Sequence, residues 1–298
     1  MTAWHTVRTA RTTTETTGAE TLTIAAAQPP VTCDPAVNGA EIRDLMRRAY
    51  DHGARLVHFP EGALSGYAGQ DKQHYTGWNI DWTPVRRELA AVRALAAQLG
   101  LWVVLGSNHR LTGGNRPHNS LYVISDRGDI VNRYDKRYLS HTEITCFYTP
   151  GFTPVAIDVD GYRLGLALCI EINFPEVFLD YLHQGVDCVL FSTFSHDPIF
   201  DVIARGHAAT TNQWISVSVP AQCSTAMPAG VIGPHGAWLT RCATDGSTDL
   251  ARVTLNRNAP ELRIALHAAR RWRATARDGS LYQQRRVDDL RSHDRSVA

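Results

Sequence analysis

Apolar runs of strand length recur along this chain, and between several of them lie segments whose apolar residues fall at helical spacing. Residues 22–27 (LTIAAA), 56–59 (LVHF), 102–107 (WVVLGS), 188–192 (CVLFS) and 214–219 (WISVSV) read as strands. Ile42, Leu45, Met46 and Ala49 share one face of a helix predicted over residues 37–52 and closed by Gly53. Thr83 as N-cap, with Pro84 at the first helical position, opens a second helix that stops at Gly100. Two more are predicted over residues 176–184 and 200–213. Hairpins are expected where residues 121–124 meet 130–134, where 153–159 meet 162–168 through Asp160 and Gly161, and at the turn 233–236. Residues 251–255 form the last predicted strand. Strand-then-helix order mixed with hairpins implies an α/β layered fold with a mixed sheet.

The stretch RLGLALCIEINFPE (163–176) combines these signals. Its apolar run ends at Cys169, and the polar Glu171 and Asn173 precede a helix start at Pro175 and Glu176. A free cysteine is usually a small buried hydrophobe. A thiol on the tight turn at a strand's carboxyl end, however, faces the crevice in which sheets of this kind bind ligands.

With 44% hydrophobic and 20% charged residues, the 298-residue chain can bury a sizeable core. Thirty basic residues balance twenty-nine acidic ones, which gives no electrostatic reason to expect nucleic acid or an anionic membrane as partner. A small molecule is the expected ligand. The six cysteines contain no C-x-x-C pair, so neither a zinc site nor a disulfide framework is suggested, and a reducing cytoplasm fits. No signal peptide is expected, and no run approaches the ~18 apolar residues of a membrane span. Residues 1–20, with eight threonines, read as a disordered tail. From residue 256 onward, ten arginines face five acidic residues, as in an extension that wraps a partner subunit or stays partly mobile.

Two further reactive side chains share the description of Cys169. Glu61 lies just past the strand 56–59, and Lys136 follows the strand 130–134. If those strands neighbour one another in one sheet, all three groups converge on one crevice. Together they suit acyl transfer through a thioester. Glu61, its pKa raised in a dry pocket, takes the thiol proton and passes it to the leaving amine. The ammonium of Lys136 and the backbone N–H of Ile170 face the developing oxyanion. Taken singly, Glu61 reads as a cap after a strand and Lys136 as a surface charge.

The segments FPEGALSGY (59–67), YDKRYL (134–139) and CIEINFPE (169–176), in this order, resemble the nitrilase superfamily of carbon–nitrogen hydrolases. IARGHAATTNQWISVSV (203–219) and GPHGAWL (233–239) are similar to that family's later helix, strand and hairpin. The resemblance implies a four-layer αββα sandwich, a homodimer or larger homo-oligomer, and a reaction needing neither metal nor cofactor. It makes Glu61 the general base and acid, Lys136 the oxyanion stabiliser and Cys169 the nucleophile. It divides the chain into the tail 1–20, a hydrolase domain over 21–255 and the extension 256–298. A second glutamate that positions the lysine matches Glu143 in HTEITCFYTPG (141–151), but eight positions separate it from Gly151 where the family usually has about seven.

Nitrile-cleaving members tend to carry Trp directly after the nucleophile, and Ile170 here favours the amidase branch and a small carboxamide substrate. N-carbamoyl compounds and nitriles are the alternatives, the first weakened because Ile172, Asn173 and Phe174 offer no positive charge. A catalytically silent scaffold of the same fold is the alternative from another class. Tyr67 from the long loop 62–82, with Phe194 and His196 after the strand 188–192, is expected to line the pocket. Glu176 and Arg205 read as a structural ion pair.

Overall fold

A computed structural model describes residues 20–70 and 81–296. The predicted tail, apart from Glu20, and residues 71–80 of the long loop lie outside the described residues. Twelve strands form two six-stranded sheets. The first holds β1 (Thr21–Gln28), β2 (Leu56–His58), β3 (Trp102–His109), β4 (His118–Ile124), β5 (Ile130–Asp135) and, from the far end of the chain, β12 (Asp249–Asn256). Its order is β12-β1-β2-β3-β4-β5. The second contains β6 (Ala156–Val159), β7 (Tyr162–Leu168), β8 (Cys188–Ser192), β9 (Trp214–Ser218), β10 (Gly230–Ile232) and β11 (Trp238–Arg241), in the order β11-β10-β9-β8-β7-β6.

In each sheet three parallel strands sit between antiparallel ones: β1, β2 and β3 in the first, and β7, β8 and β9 in the second. Parallel neighbours need a crossover, and here each is a helix. These are α1 (Pro35–Asp51), α2 (Trp82–Leu99), α3 (Pro175–His183) and α4 (Ile199–Thr211). Because helices cover one face of each sheet and the other sheet covers the second, strands are apolar on both sides. Leu22 and Ile24 of β1 pack with Leu164, Leu166 and Leu168 of β7 between the sheets. Ala25 and Ala27 face Ile42, Leu45 and Met46 of α1, and Ala167 joins Phe178 and Ala208 on the other helix layer. The result is the expected αββα sandwich.

Local chemistry sets the helix ends. Asp34 caps α1 by accepting the Ala36 N–H at 2.8 Å. The cap of α2 is Asp81 rather than the expected Thr83, and its Oδ1 accepts the Thr83 N–H at 2.8 Å. Both residues are capping types, and the aspartate two positions earlier wins by presenting a carboxylate to the positive helix end. The first part of the C-terminal extension packs on its own chain. Leu262, Ala265 and Leu266 are buried, and Arg257 and Arg270 converge on Asp187 at 2.8 and 3.7 Å. From Tyr282 to Ser296 every residue is exposed.

Candidate active site

The three reactive groups do converge, but from two sheets rather than one. Glu61 and Lys136 follow β2 and β5, which β3 and β4 separate within the first sheet, and Cys169 follows β7 of the second. The crevice therefore lies between facing layers.

Glu61 is clamped from both. The Ser192 hydroxyl at the end of β8 donates to the Phe59 carbonyl at 2.9 Å and lies 2.7 Å from His58 Nε2. Two residues on, the Phe194 N–H donates to Glu61 Oε2 at 2.8 Å. From the first sheet, the Asn119 amide donates to Glu61 Oε1 at 2.7 Å. Lys136 Nζ reaches the same oxygen at 2.9 Å.

Lys136 is fully buried, which rules out the surface-charge reading. Its backbone N–H donates to Asn119 O at 2.9 Å and its carbonyl accepts from Gly151 N at 2.8 Å. At Gly151 a Cβ would run into the Asp135 carbonyl, so only glycine lets this loop pass so close. Nζ also donates to Glu143 Oε1 at 2.7 Å. Glu143 opens a π-type turn, Glu143–Phe147, closed by the Tyr148 N–H on the Glu143 carbonyl at 2.8 Å. A π turn holds one residue more than an α turn. The additional position between Glu143 and Gly151 is thus taken up locally, and the carboxylate still meets the lysine. Ser140 N and the Tyr67 hydroxyl donate to Glu143 as well, at 2.8 and 3.2 Å.

Cys169 sits directly beyond β7 with φ of 48°, left-handed for a residue with a side chain. Such strain persists only when the surroundings hold it. Glu171 does much of the holding. Its carboxylate accepts the Leu168 N–H at 2.7 Å, the Arg137 N–H at 2.7 Å, the Tyr138 N–H at 3.1 Å and the Tyr134 hydroxyl at 2.7 Å. One buried side chain thereby ties the cysteine turn to the segment that follows Lys136.

The two carboxylates that share Lys136 titrate apart. Burial raises Glu61, with Lys136 pulling the other way and Glu143 adding to the rise. Burial also works against the charge on Glu143, but Lys136 and the Ser140 N–H outweigh it and hold that carboxyl below the usual range. Burial likewise opposes the charge on Lys136, yet Glu61, Glu143 and Cys169 raise its pKa well above normal. The Cys169 thiol is pushed up by burial and by Glu61, with Lys136 acting against the rise. Lys136 and Glu143 therefore stand as an ion pair beside a carboxyl, Glu61, and a thiol, Cys169, whose neutral forms burial favours. Environments that split paired groups in this way separate a structural charge from an acid–base.

Tyr67 and Phe194 stack with ring centroids 5.2 Å apart, and Tyr148 lies 6.5 Å beyond Tyr67. The Phe194 N–H reaches Glu61 and the Tyr67 hydroxyl reaches Glu143, so both residues stand at the site. His196 is exposed, edge-on to Phe194, with Nε2 3.6 Å from Cys223 Sγ. Ile170 is half-buried on the turn after the thiol. Arg205 pairs with Asp201 at 3.5 Å, one turn back on α4, rather than with Glu176. Sequence reasoning missed the roles of Asn119 and Tyr148 and the anchoring by Glu171. For Glu171 there was a signal, an acidic residue directly between the apolar Ile170 and Ile172 at the strand-to-helix junction. No group of histidine, cysteine or acidic side chains suited to a metal ion occurs among the described residues.

Comparison with known proteins agrees with this fold. The sequence model of the family described as carbon-nitrogen hydrolase matches residues 23–260. Deaminated glutathione amidase of Bos taurus is 24% identical over 262 residues, 78% of this chain and 76% of that protein. The chloroplastic omega-amidase of Arabidopsis thaliana is 23% identical over 240 residues, 75% of this chain and 65% of that one. An amidase from Nesterenkonia sp. shares the fold, with a TM-score of 0.69 and 20% identity over 79% of this chain and 90% of its own. A variant of it in complex with butyramide gives 0.71 and 19%, over 88% and 96%.

Proposed function

Because the chain belongs to the carbon–nitrogen hydrolase family, we propose that it hydrolyses a small carboxamide to the acid and ammonia, through a thioester on Cys169. The observation that carries this reading is the split pair of carboxylates about Lys136, next to a thiol on a strained turn. Glu61 takes the thiol proton as sulfur attacks the carbonyl carbon. The negative oxygen so formed is met by Lys136 and by the Ile170 N–H. Glu61 returns the proton to the departing nitrogen, ammonia leaves and the thioester remains. Water, losing a proton to Glu61, then attacks the thioester. The carboxylic acid departs and the proton returns to sulfur.

Glu143 keeps Lys136 charged and aimed, while Tyr67, Phe194, His196 and Ile170 shape the acyl pocket. The relatives named as amidases support an amide over a nitrile. No described helix is long and apolar enough to cross a membrane. Six free cysteines fit a cytoplasmic setting, and the working unit is proposed to be a homodimer or larger homo-oligomer, to be read by sedimentation.

The test is ammonia release across primary amides, ureides and nitriles, comparing the wild-type protein with Cys169→Ala. Release from amides alone, abolished by the substitution, supports the proposal. Carbon dioxide appearing beside ammonia would move the reading to an N-carbamoyl substrate. Turnover unchanged in Cys169→Ala would defeat the thioester, and no turnover of any compound would favour a silent scaffold.

A further inference from the structure

One buried hydroxyl beside the thiol has no role in the steps above. Across β7 and β8 the register pairs Ala167 with Phe191 and Leu168 with Ser192, so one step further brings Cys169 abreast of Thr193. Side chains alternate along a strand. Leu168 points between the sheets, whereas Ala167, Cys169 and Phe191 belong to the opposite face. The Thr193 N–H stays in the ladder, donating to Ser218 O at 3.0 Å, which sets its side chain on the face of Phe191 and Cys169. There the hydroxyl is fully buried, and Oγ1 makes no hydrogen bond of regular geometry among the described residues. Buried hydroxyls nearly always find a partner, because leaving one unmade costs the desolvation of the group. The group left within its reach is the Cys169 sulfur, a weak acceptor as a thiol and a stronger one as a thiolate.

We propose that Thr193 is a further catalytic residue, whose hydroxyl donates a hydrogen bond to Cys169 sulfur when the thiol gives up its proton. The assignment rests on Cys169 being the nucleophile. Burial and the charges of Glu61 and Glu143 oppose the thiolate, while Lys136 and the Thr193 hydroxyl favour it. The Tyr67 phenol, hydrogen-bonded to Glu143, has its pKa raised by burial and by the charges of Glu61 and Cys169. Lys136 is shared between two carboxylates, so a neutral hydroxyl supplies stabilisation to sulfur that adds no charge to the site. Valine in place of Thr193 has nearly the same shape, and a purely structural role would let it serve as well or better, since it removes an unpaired polar atom from a dry interior.

The experiment follows alkylation of the full-length protein by iodoacetamide against pH, with mass spectrometry identifying the labelled thiol, and sets it beside amide turnover and thermal melting. The expected result for Thr193→Val is an unchanged or raised melting temperature, a midpoint for Cys169 alkylation about one pH unit higher, and roughly tenfold slower labelling at neutral pH. Thr193→Ser should restore wild-type behaviour to within about threefold. If the valine protein does not fold, the comparison of Thr193→Ala with Thr193→Ser carries the same test. A valine or alanine protein alkylated at the wild-type midpoint and rate would overturn the proposal, as would a serine protein as slow as the valine one. Cys169→Ala still hydrolysing amides would instead remove the nucleophile assignment beneath it.

Discussion

The carboxylate of Glu171 accepts the backbone N–H of Arg137 at 2.7 Å, so the residue two places after the thiol holds the residue one place after the ammonium. The two segments belong to different sheets, and this contact fixes their separation. Replacing Glu171 by Gln turns part of that acceptor into a donor facing N–H groups. Urea denaturation is expected to show a loss of about 2–3 kcal/mol, and alkylation of Cys169 should slow as the strained turn relaxes.

The acid limb of the pH–rate profile is expected to belong to Glu61, which must be ionised to act as base. Its pKa is raised, so activity should fall at a pH above the ordinary carboxylate range as the solution is acidified. Glu143→Gln removes a negative neighbour that contributes to that rise and also leaves Lys136 more available to Glu61. The limb should then move to lower pH while the maximum rate drops. A limb that stays in place would separate the two carboxylates electrostatically, against the shared ammonium.

Gly151→Ala should drive a methyl into the Asp135 carbonyl and displace the backbone that carries Lys136. The expected cost is about 1–3 kcal/mol of stability. Turnover should fall at least roughly tenfold, because misplaced catalytic groups lose rate before they lose binding. Measuring kcat and KM separately checks the distinction.

His58 offers a pH test of the sandwich itself. It is fully buried between Ser192 and Ser216, and burial lowers its pKa from 6.5 to about 3. The unfolded chain binds this proton and the folded one does not, so stability is present above about pH 6.5 and is lost as pH falls toward about 3. The slope within that window is about 1.4 kcal/mol per pH unit. In His58→Gln that part of the acid dependence should be missing from melting curves taken between pH 7 and 4, within the same window.

Much of this was legible in the residues. The strands 188–192 and 162–168 stand where their apolar runs predict, with β8 at Cys188–Ser192 and β7 at Tyr162–Leu168. Helix spacing located α1, and the groups at strand ends proved to be neighbours. What periodicity could not supply was the partner of each strand. Alternation tells which face of β2 and β7 is apolar, but both faces are buried here, so one sheet and two facing sheets give similar patterns. For the same reason Asn119 and Glu171 carried no sign of their partners. A polar residue within an apolar run says that a bond exists, and only the packed layers say to what. The additional residue after Glu143 was visible as a mismatch in spacing, and its solution, a wider turn, depends on backbone geometry.

The division of the site between layers has a consequence for the nascent chain. Glu61 and Lys136 emerge before Cys169, yet neither can touch the sulfur until the second sheet closes over the first. A half-built or locally opened molecule holds the three groups apart, and the chemistry proposed for them can begin only with the event that completes the interior. On the proposed mechanism, amide turnover is thus a gauge of whether the sandwich is shut.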